Sequence, residues 1–150
     1  MMKSKLKTSF VLLALMLMMT GNVSNTSSVT LFKLTVKITL IHSDDSHDTG
    51  DNTNEFFVAI QIGSSSYTFS SEHDMHTSTT LTLSETLYSN KIIDSGSQVH
   101  FQLREYDGPT YNVITQKYVT IFSTGTNSYT STEISPGSCS TTLSFQVTNY

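Results

Sequence analysis

The chain contains few of the residues that cross-link a protein or give it a strongly charged surface. Its 150 residues include one cysteine, no tryptophan, two prolines and only 13% charged side chains. Because one cysteine excludes a disulfide within the chain, Cys139 either pairs with a second copy or is an inert, packed thiol. The surrounding SPGSCST is typical of an exposed loop, and an exposed loop favours a disulfide-linked homodimer.

Long apolar runs are absent except at the amino terminus. Phe10–Met19 is uninterrupted and apolar, and it follows Lys3, Lys5 and Lys7. The run is shorter than the roughly 18 residues of a membrane-spanning helix, and small or polar residues follow it. This pattern predicts a signal peptide and a secreted, extracellular protein. The predicted divisions are a signal peptide over 1–21, a flexible leader over 22–29 and one domain over 30–150.

Removal of the signal peptide makes the chain more acidic. The net charge is −4, from 8 basic and 12 acidic residues, and three of the basic residues lie in the predicted signal peptide. The mature chain then carries 5 basic and 12 acidic residues, a net charge of −7. Such a surface repels phosphate backbones, so nucleic acid is excluded as a partner. Asn22 and Asn25 open glycan-acceptor triplets, which predicts a glycoprotein.

Apolar residues alternate with polar ones in several short segments. Leu34, Val36, Ile38 and Leu40 share one face of a predicted strand, and the 99–103 segment alternates in the same way. Outside the signal peptide, no apolar stripe with helical spacing extends over ten residues. The pattern predicts an all-β, antiparallel sandwich of seven to eight strands, with polar connections over 70–80 and 125–139.

Acidic residues concentrate in two predicted loops. Five lie between the first two strands and two follow a later strand: Asp44, Asp45, Asp48, Asp51, Glu55, Glu105 and Asp107. Crowded carboxylates repel one another, and a hard cation such as calcium, which takes about 6–8 oxygen ligands, relieves that repulsion. Solvated, flexible loops are also often acidic, so the alternative is a loop without a metal. The spacing does not fit an EF-hand.

Two segments resemble C2 domains. LTVKITLIHS, the acidic loop and NEFFVAIQIG resemble the opening of that family, in which a strand leads to a calcium loop and a DPYVxV strand. VHFQLREYD resembles the family's LxVxVWDxD, and TTLSFQVTNY resembles its last strand. Glu55 and Glu105 stand where the family has aspartate.

The resemblance implies a non-enzymatic module that binds calcium and, through it, a phospholipid headgroup or a protein partner. The calcium ligands that it implies are Asp44, Asp45, Asp51, Glu55, Glu105 and Asp107.

Aromatic residues beside the acidic loops suggest a second function. Tyr106 and Tyr111 lie in a polar loop that contains Pro and Gly, where rings can stack on sugar or enter a lipid interface. Phe56 and Phe57 begin a strand, which favours core packing. The alternative function is therefore calcium-independent binding of an extracellular protein or glycan, as in adhesion proteins and lectins.

Catalytic and zinc-binding motifs are scarce. The chain has no G-x-S-x-G elbow, P-loop or HExxH, and these absences argue against an enzyme. His73 and His76, in the sequence HDMH, are candidate zinc ligands, but tetrahedral zinc needs further ligands from elsewhere in the chain.

Overall fold

The computed structural model describes residues 28–44, 53–134 and 137–150. Within these ranges the chain forms strands and turns only, and it contains no helix long and apolar enough to cross a membrane. The nine strands are β1 Leu31–Ser43, β2 Thr53–Ile62, β3 Thr68–Phe69, β4 His73–His76, β5 Thr79–Asp94, β6 Ser97–Asp107, β7 Thr110–Ile121, β8 Gly125–Thr132 and β9 Ser140–Asn149. The predicted signal peptide, both glycan-acceptor asparagines, Asp45, Asp48 and Asp51 lie outside the described residues.

The strands form two antiparallel sheets. The first sheet has the order β5-β1-β9-β8, and the second has the order β3-β2-β6-β7 with β4 also paired to β2. This architecture confirms the predicted all-β sandwich.

The core lies between the two sheets and follows the alternation in the sequence. Its largest fully buried members include Leu34, Phe56, Ile60, Phe101 and Phe145. The rings of Phe101 and Phe145 meet edge to face across the sheets, with centroids 6.2 Å apart. In β1, β6 and β9 the inward residues mostly alternate with polar ones, whereas in β2 Phe57 and Ala59 make the other face apolar as well.

The alternation in β1 is interrupted near its end. Ile38 and Ile41 are fully buried, whereas Leu40 is only partly buried. The pairing of β1 with both of its neighbours shifts between Ile38 and Leu40, so an irregularity rotates the rest of the strand by one residue. Ser43 consequently points inward, and the predicted inward position of Leu40 is wrong.

Two segments predicted to be polar connections contain strands. β4 and the first residues of β5 occupy most of 70–80, and β8 occupies the first half of 125–139. β5 and β8 are the two edges of the first sheet. An edge strand has only one hydrogen-bonded neighbour, so polar side chains remain exposed along much of both strands.

The described strand ends that flank the two acidic segments, at Ser43, Thr53 and Asp107, lie at one end of the sandwich, which we call the acidic end. Phe56 near the start of β2 pairs with Glu105 near the end of β6. Across the sheets, the buried amide of Asn54 donates a 2.8 Å hydrogen bond from Nδ2 to the hydroxyl of Ser43, the last residue of β1. The strands that flank the two acidic segments therefore end close together.

Candidate functional site

Three carboxylates converge at the acidic end on the outer face of the second sheet. Glu55 of β2 lies opposite Asp74 of β4 in the antiparallel register, and Glu72 precedes Asp74 by two residues. Their ligand atoms all lie within 4.8 Å of one another, and all three residues are exposed. We call Glu55, Glu72 and Asp74 the acidic triad. Within the described ranges, no other group of three such residues is close enough to share a metal ion.

The predicted ligands of the second loop lie elsewhere. Glu105 is fully buried, and its register partner Phe56 belongs to the core, so its side chain points inward. Glu55, the exposed neighbour of Phe56, lies on the opposite face. The structure therefore does not bring Glu55 and Glu105 together.

Asp107 is exposed at the end of β6. The side-chain amide of Asn112 donates to its Oδ2 at 3.4 Å, across the hairpin that joins β6 to β7. Gly108 in this hairpin has a φ of +65°, a left-handed conformation that glycine adopts without steric cost. Whether Asp107 ligates calcium stays a prediction.

Asp44 connects the first acidic loop to the segment before β9. The hydroxyl of Ser138 donates to its Oδ2 at 2.5 Å, and its backbone N–H donates to Sγ of Cys139 at 3.4 Å. Cys139 itself is fully buried within the core cluster. The predicted exposed loop is therefore wrong at this residue, and its burial favours the packed thiol over the disulfide-linked homodimer.

The two histidines of HDMH do not form a metal site. Along β4 the buried Met75 marks the inward face, which it shares with His73, while His76 is exposed on the other face. Nε2 of His73 lies 3.1 Å from Oε2 of Glu85 on β5. His73 thus links the two sheets, which argues against zinc.

Aromatic side chains cover the outer face of the second sheet beside the acidic triad. Phe56 points into the core, as predicted, while Phe57 points outward. The ring of Phe57 stacks on Tyr106 with centroids 4.6 Å apart and meets Tyr111 edge-on at 6.0 Å. The members of this aromatic face are Phe57, Tyr67, Phe69, Tyr106, Tyr111 and Tyr118.

Arg104 lies at the centre of the aromatic face. Its guanidinium carbon is 4.2 Å from the ring centroid of Tyr111, 4.7 Å from that of Tyr67 and 5.5 Å from that of Phe69. The rings bury it to 4% exposure and attract its charge through their π faces. The sequence places Arg104 at an outward position of β6. It does not show that rings from other parts of the chain cover this position.

The acidic triad fits a hard cation. Every ligand atom that it offers is a carboxylate oxygen, the type that calcium prefers, and three carboxylates provide at most six of the roughly 6–8 oxygens needed. Water or a bound anion would complete the shell. Because the triad is exposed, it suits a weak site.

No protein-family model matches the chain, and no curated protein matches it. Solved structures do match its fold. A C2 domain of plant extended synaptotagmin 1 matches with a TM-score of 0.57 and 8% identity, over 81% of this chain and 96% of that one. Human GIVD cytosolic phospholipase A2, in complex with methyl gamma-linolenyl fluorophosphonate, matches with a TM-score of 0.54 and 12% identity. That match covers 81% of this chain, which spans only 18% of the phospholipase chain. The predicted C2-like fold is confirmed.

Proposed function

We propose that this protein is an extracellular, non-enzymatic module that binds calcium at its acidic end and, through it, anionic phospholipid headgroups. The observation that carries the proposal is the convergence of Glu55, Glu72 and Asp74 on one end of a C2-like sandwich. The four aspartates over 44–51 belong to the connection that joins β1 to β2 at the same end.

Electrostatics explains why calcium suits this end. Three carboxylates within 4.8 Å repel one another, and a divalent cation replaces that repulsion with attraction. Without a cation, the acidic surface would repel an anionic headgroup. With one, a headgroup phosphate can take a coordination position that the carboxylates leave open. Calcium therefore supplies the charge reversal, while the protein supplies the oxygen ligands.

Calcium titration into protein freed of metal with EDTA and then desalted is the direct test. We expect heat of binding in calorimetry and a rise in melting temperature, both lost in the double variant Glu72→Gln/Asp74→Asn. Asp107→Asn tests the predicted second-loop ligand separately. Asp94→Asn is the matched control, because Asp94 is exposed at the opposite end of the sandwich, paired with Leu31.

Vesicle sedimentation tests the headgroup. Vesicles containing phosphatidylserine should pellet the protein in calcium and release it in EDTA, while phosphatidylcholine vesicles should not pellet it. The proposal is wrong if millimolar calcium produces neither heat nor a shift in melting temperature. If calcium binds but vesicles do not, calcium binding is supported and phospholipid binding is rejected.

Secretion is the remaining part of the proposal. The basic start and short apolar run over 3–19 support cleavage and export. Expression of the full chain in cultured eukaryotic cells should deliver it to the medium. Amino-terminal sequencing should then find a start near residue 22, and retention of the uncleaved chain in the cells would contradict export.

A further inference from the structure

The aromatic face is more exposed than a continuation of the core would be. Phe69, Tyr111 and Tyr118 are 53%, 49% and 55% exposed, although each is a large ring. Tyr106 and Val113 add exposed apolar surface on the same side of the sheet. A contiguous exposed apolar patch commonly marks a binding surface.

A chain of hydrogen bonds runs beneath these rings, and its direction is fixed. Arginine is only a donor, so the Gln102 atom that lies 2.7 Å from Nε of Arg104 is Oε1. Nε2 of Gln102 then donates to Oε1 of Gln116 at 3.1 Å.

The other end of the chain meets the same oxygen. Nε2 of His100 lies 2.9 Å from Oε1 of Gln116 and donates to it. Nδ1 of the same ring lies 2.8 Å from the hydroxyl of Tyr67. The His100 ring also stacks on Tyr118, with centroids 4.0 Å apart and an interplanar angle of 4°.

This network orients a hydrogen-bond donor toward solvent. Because Oε1 of Gln116 accepts from two neighbours, the Nε2 group of that exposed residue is directed away from them, and it has no partner in the described part of the chain. The Nη groups of Arg104 likewise donate to no described residue, although the side chain is 4% exposed. Fixed donors thus lie among exposed rings.

Charge and desolvation restrict what can cover this face. The acidic triad at its edge and the acidic chain as a whole disfavour an anionic polymer. The basic residue on the described face is Arg104, since Lys117 on β7 turns away to the carbonyl of Thr130. A purely apolar partner, such as a lipid tail, would bury the exposed Nε2 donor of Gln116 without an acceptor, which is costly.

We propose that the aromatic face binds an extended, uncharged polysaccharide. The exposed rings stack on the C–H faces of the sugars, the Gln116 amide donates to a sugar hydroxyl, and the buried Arg104 holds the rings in place. Tyr111 and Tyr118 lie seven residues apart along β7, which corresponds to about 20 Å of strand. This length suits several linked sugars rather than one. The binding is independent of the calcium site.

Calorimetry in EDTA with chitohexaose, cellohexaose and laminarihexaose tests the proposal. At least one hexaose should bind, and its monosaccharide should bind much more weakly. Tyr118→Ala and Gln116→Ala should each raise the dissociation constant by about tenfold, as expected for a central contact in a binding surface. Tyr150→Ala should leave it unchanged, because Tyr150 is an exposed ring that follows β9 of the first sheet.

Three outcomes would overturn the proposal. In the first, none of the three hexaoses binds, or the Tyr118 and Gln116 variants bind as well as wild type while melting at the same temperature. In the second, sedimentation shows self-association that Tyr111→Ala abolishes, so a second copy covers the face. In the third, phosphatidylcholine vesicles in EDTA pellet the wild type but not Tyr111→Ala, so a membrane does. Since EDTA removes calcium, failure here leaves the calcium proposal intact.

Discussion

For single residues, an inward or outward position along the strand predicts the surroundings of a side chain better than residue type does. Glu105 belongs to a polar segment that is typical of an exposed loop. It nevertheless continues the inward series of Val99, Phe101 and Leu103, and the structure buries it. Arg104 continues the outward series and is buried by rings that lie in or just before β3 and in β7. The first outcome could be predicted from the sequence alone. The second could not, because no local pattern shows which distant rings cover an outward side chain.

The buried thiol of Cys139 leads to a prediction at the residue scale. Since its side chain is 0% exposed, Ellman's reagent should react with it only after unfolding, and a non-reducing gel should show a monomer. Thr124→Cys in a Cys139→Ser background is the control, because Thr124 is exposed and its replacement should react at once. Rapid reaction of the native wild-type thiol, or a dimer that only reductant dissolves, would restore the disulfide-linked homodimer.

At the scale of strands, the sequence predicted the central pairs well and the edges poorly. β1, β6 and β9 alternate apolar and polar residues over most of their length, because each is paired on both sides and turns one face to the core. The shift in β1 falls between Ile38 and Ile41, where Leu40 and Ile41 are both apolar, so the pattern fits either register. The acidic triad was missed for a related reason. Glu72 and Asp74 reach Glu55 only because the short β4 pairs with β2.

A buried hydroxyl pair joins the edges of the two sheets and yields a prediction at the element scale. Thr115 of β7 and Ser131 of β8 form a 2.7 Å hydrogen bond between their hydroxyls. Thr115→Val or Ser131→Ala alone should lower the free energy of unfolding by about 1–3 kcal/mol, because each leaves the other buried hydroxyl without a hydrogen-bond partner. The double variant should cost little more than either one. Urea denaturation of all four proteins gives the coupling energy.

An exposed pair of the same chemistry is the control for that cycle. Thr130 of β8 and Thr142 of β9 form a 2.8 Å hydroxyl bond at the surface. Alanine at both positions, singly and together, should show coupling near zero, since water replaces the lost partner. Equal coupling in the two cycles would mean that burial does not decide the cost of losing a hydroxyl partner here.

At the scale of the whole molecule, the two candidate sites are adjacent but use opposite chemistry. The acidic triad concentrates negative charge at one end, whereas the aromatic face next to it is apolar with fixed neutral and cationic donors. Phe57 and Glu55 lie two residues apart on the same outer face of β2. The fold thus places the acidic triad and the aromatic face side by side. We therefore expect that a mutation in the acidic triad will leave binding at the aromatic face unchanged, and that a mutation in the aromatic face will leave binding at the triad unchanged.

The uneven charge also predicts how stability responds to salt. With EDTA present, sodium chloride should raise the melting temperature, because it screens repulsion among carboxylates that calcium would otherwise neutralise, and the screening length falls to about 8 Å at physiological ionic strength. Neutralising the triad with Glu72→Gln/Asp74→Asn should raise the melting temperature in low salt and reduce the salt effect, whereas Asp94→Asn should do neither to the same extent. In the wild type only, calcium chloride should raise the melting temperature at a lower ionic strength than sodium chloride does. If the two salts raise the melting temperature equally at equal ionic strength, the acidic end is screened without binding a specific ion. Its carboxylates are then a solvated surface.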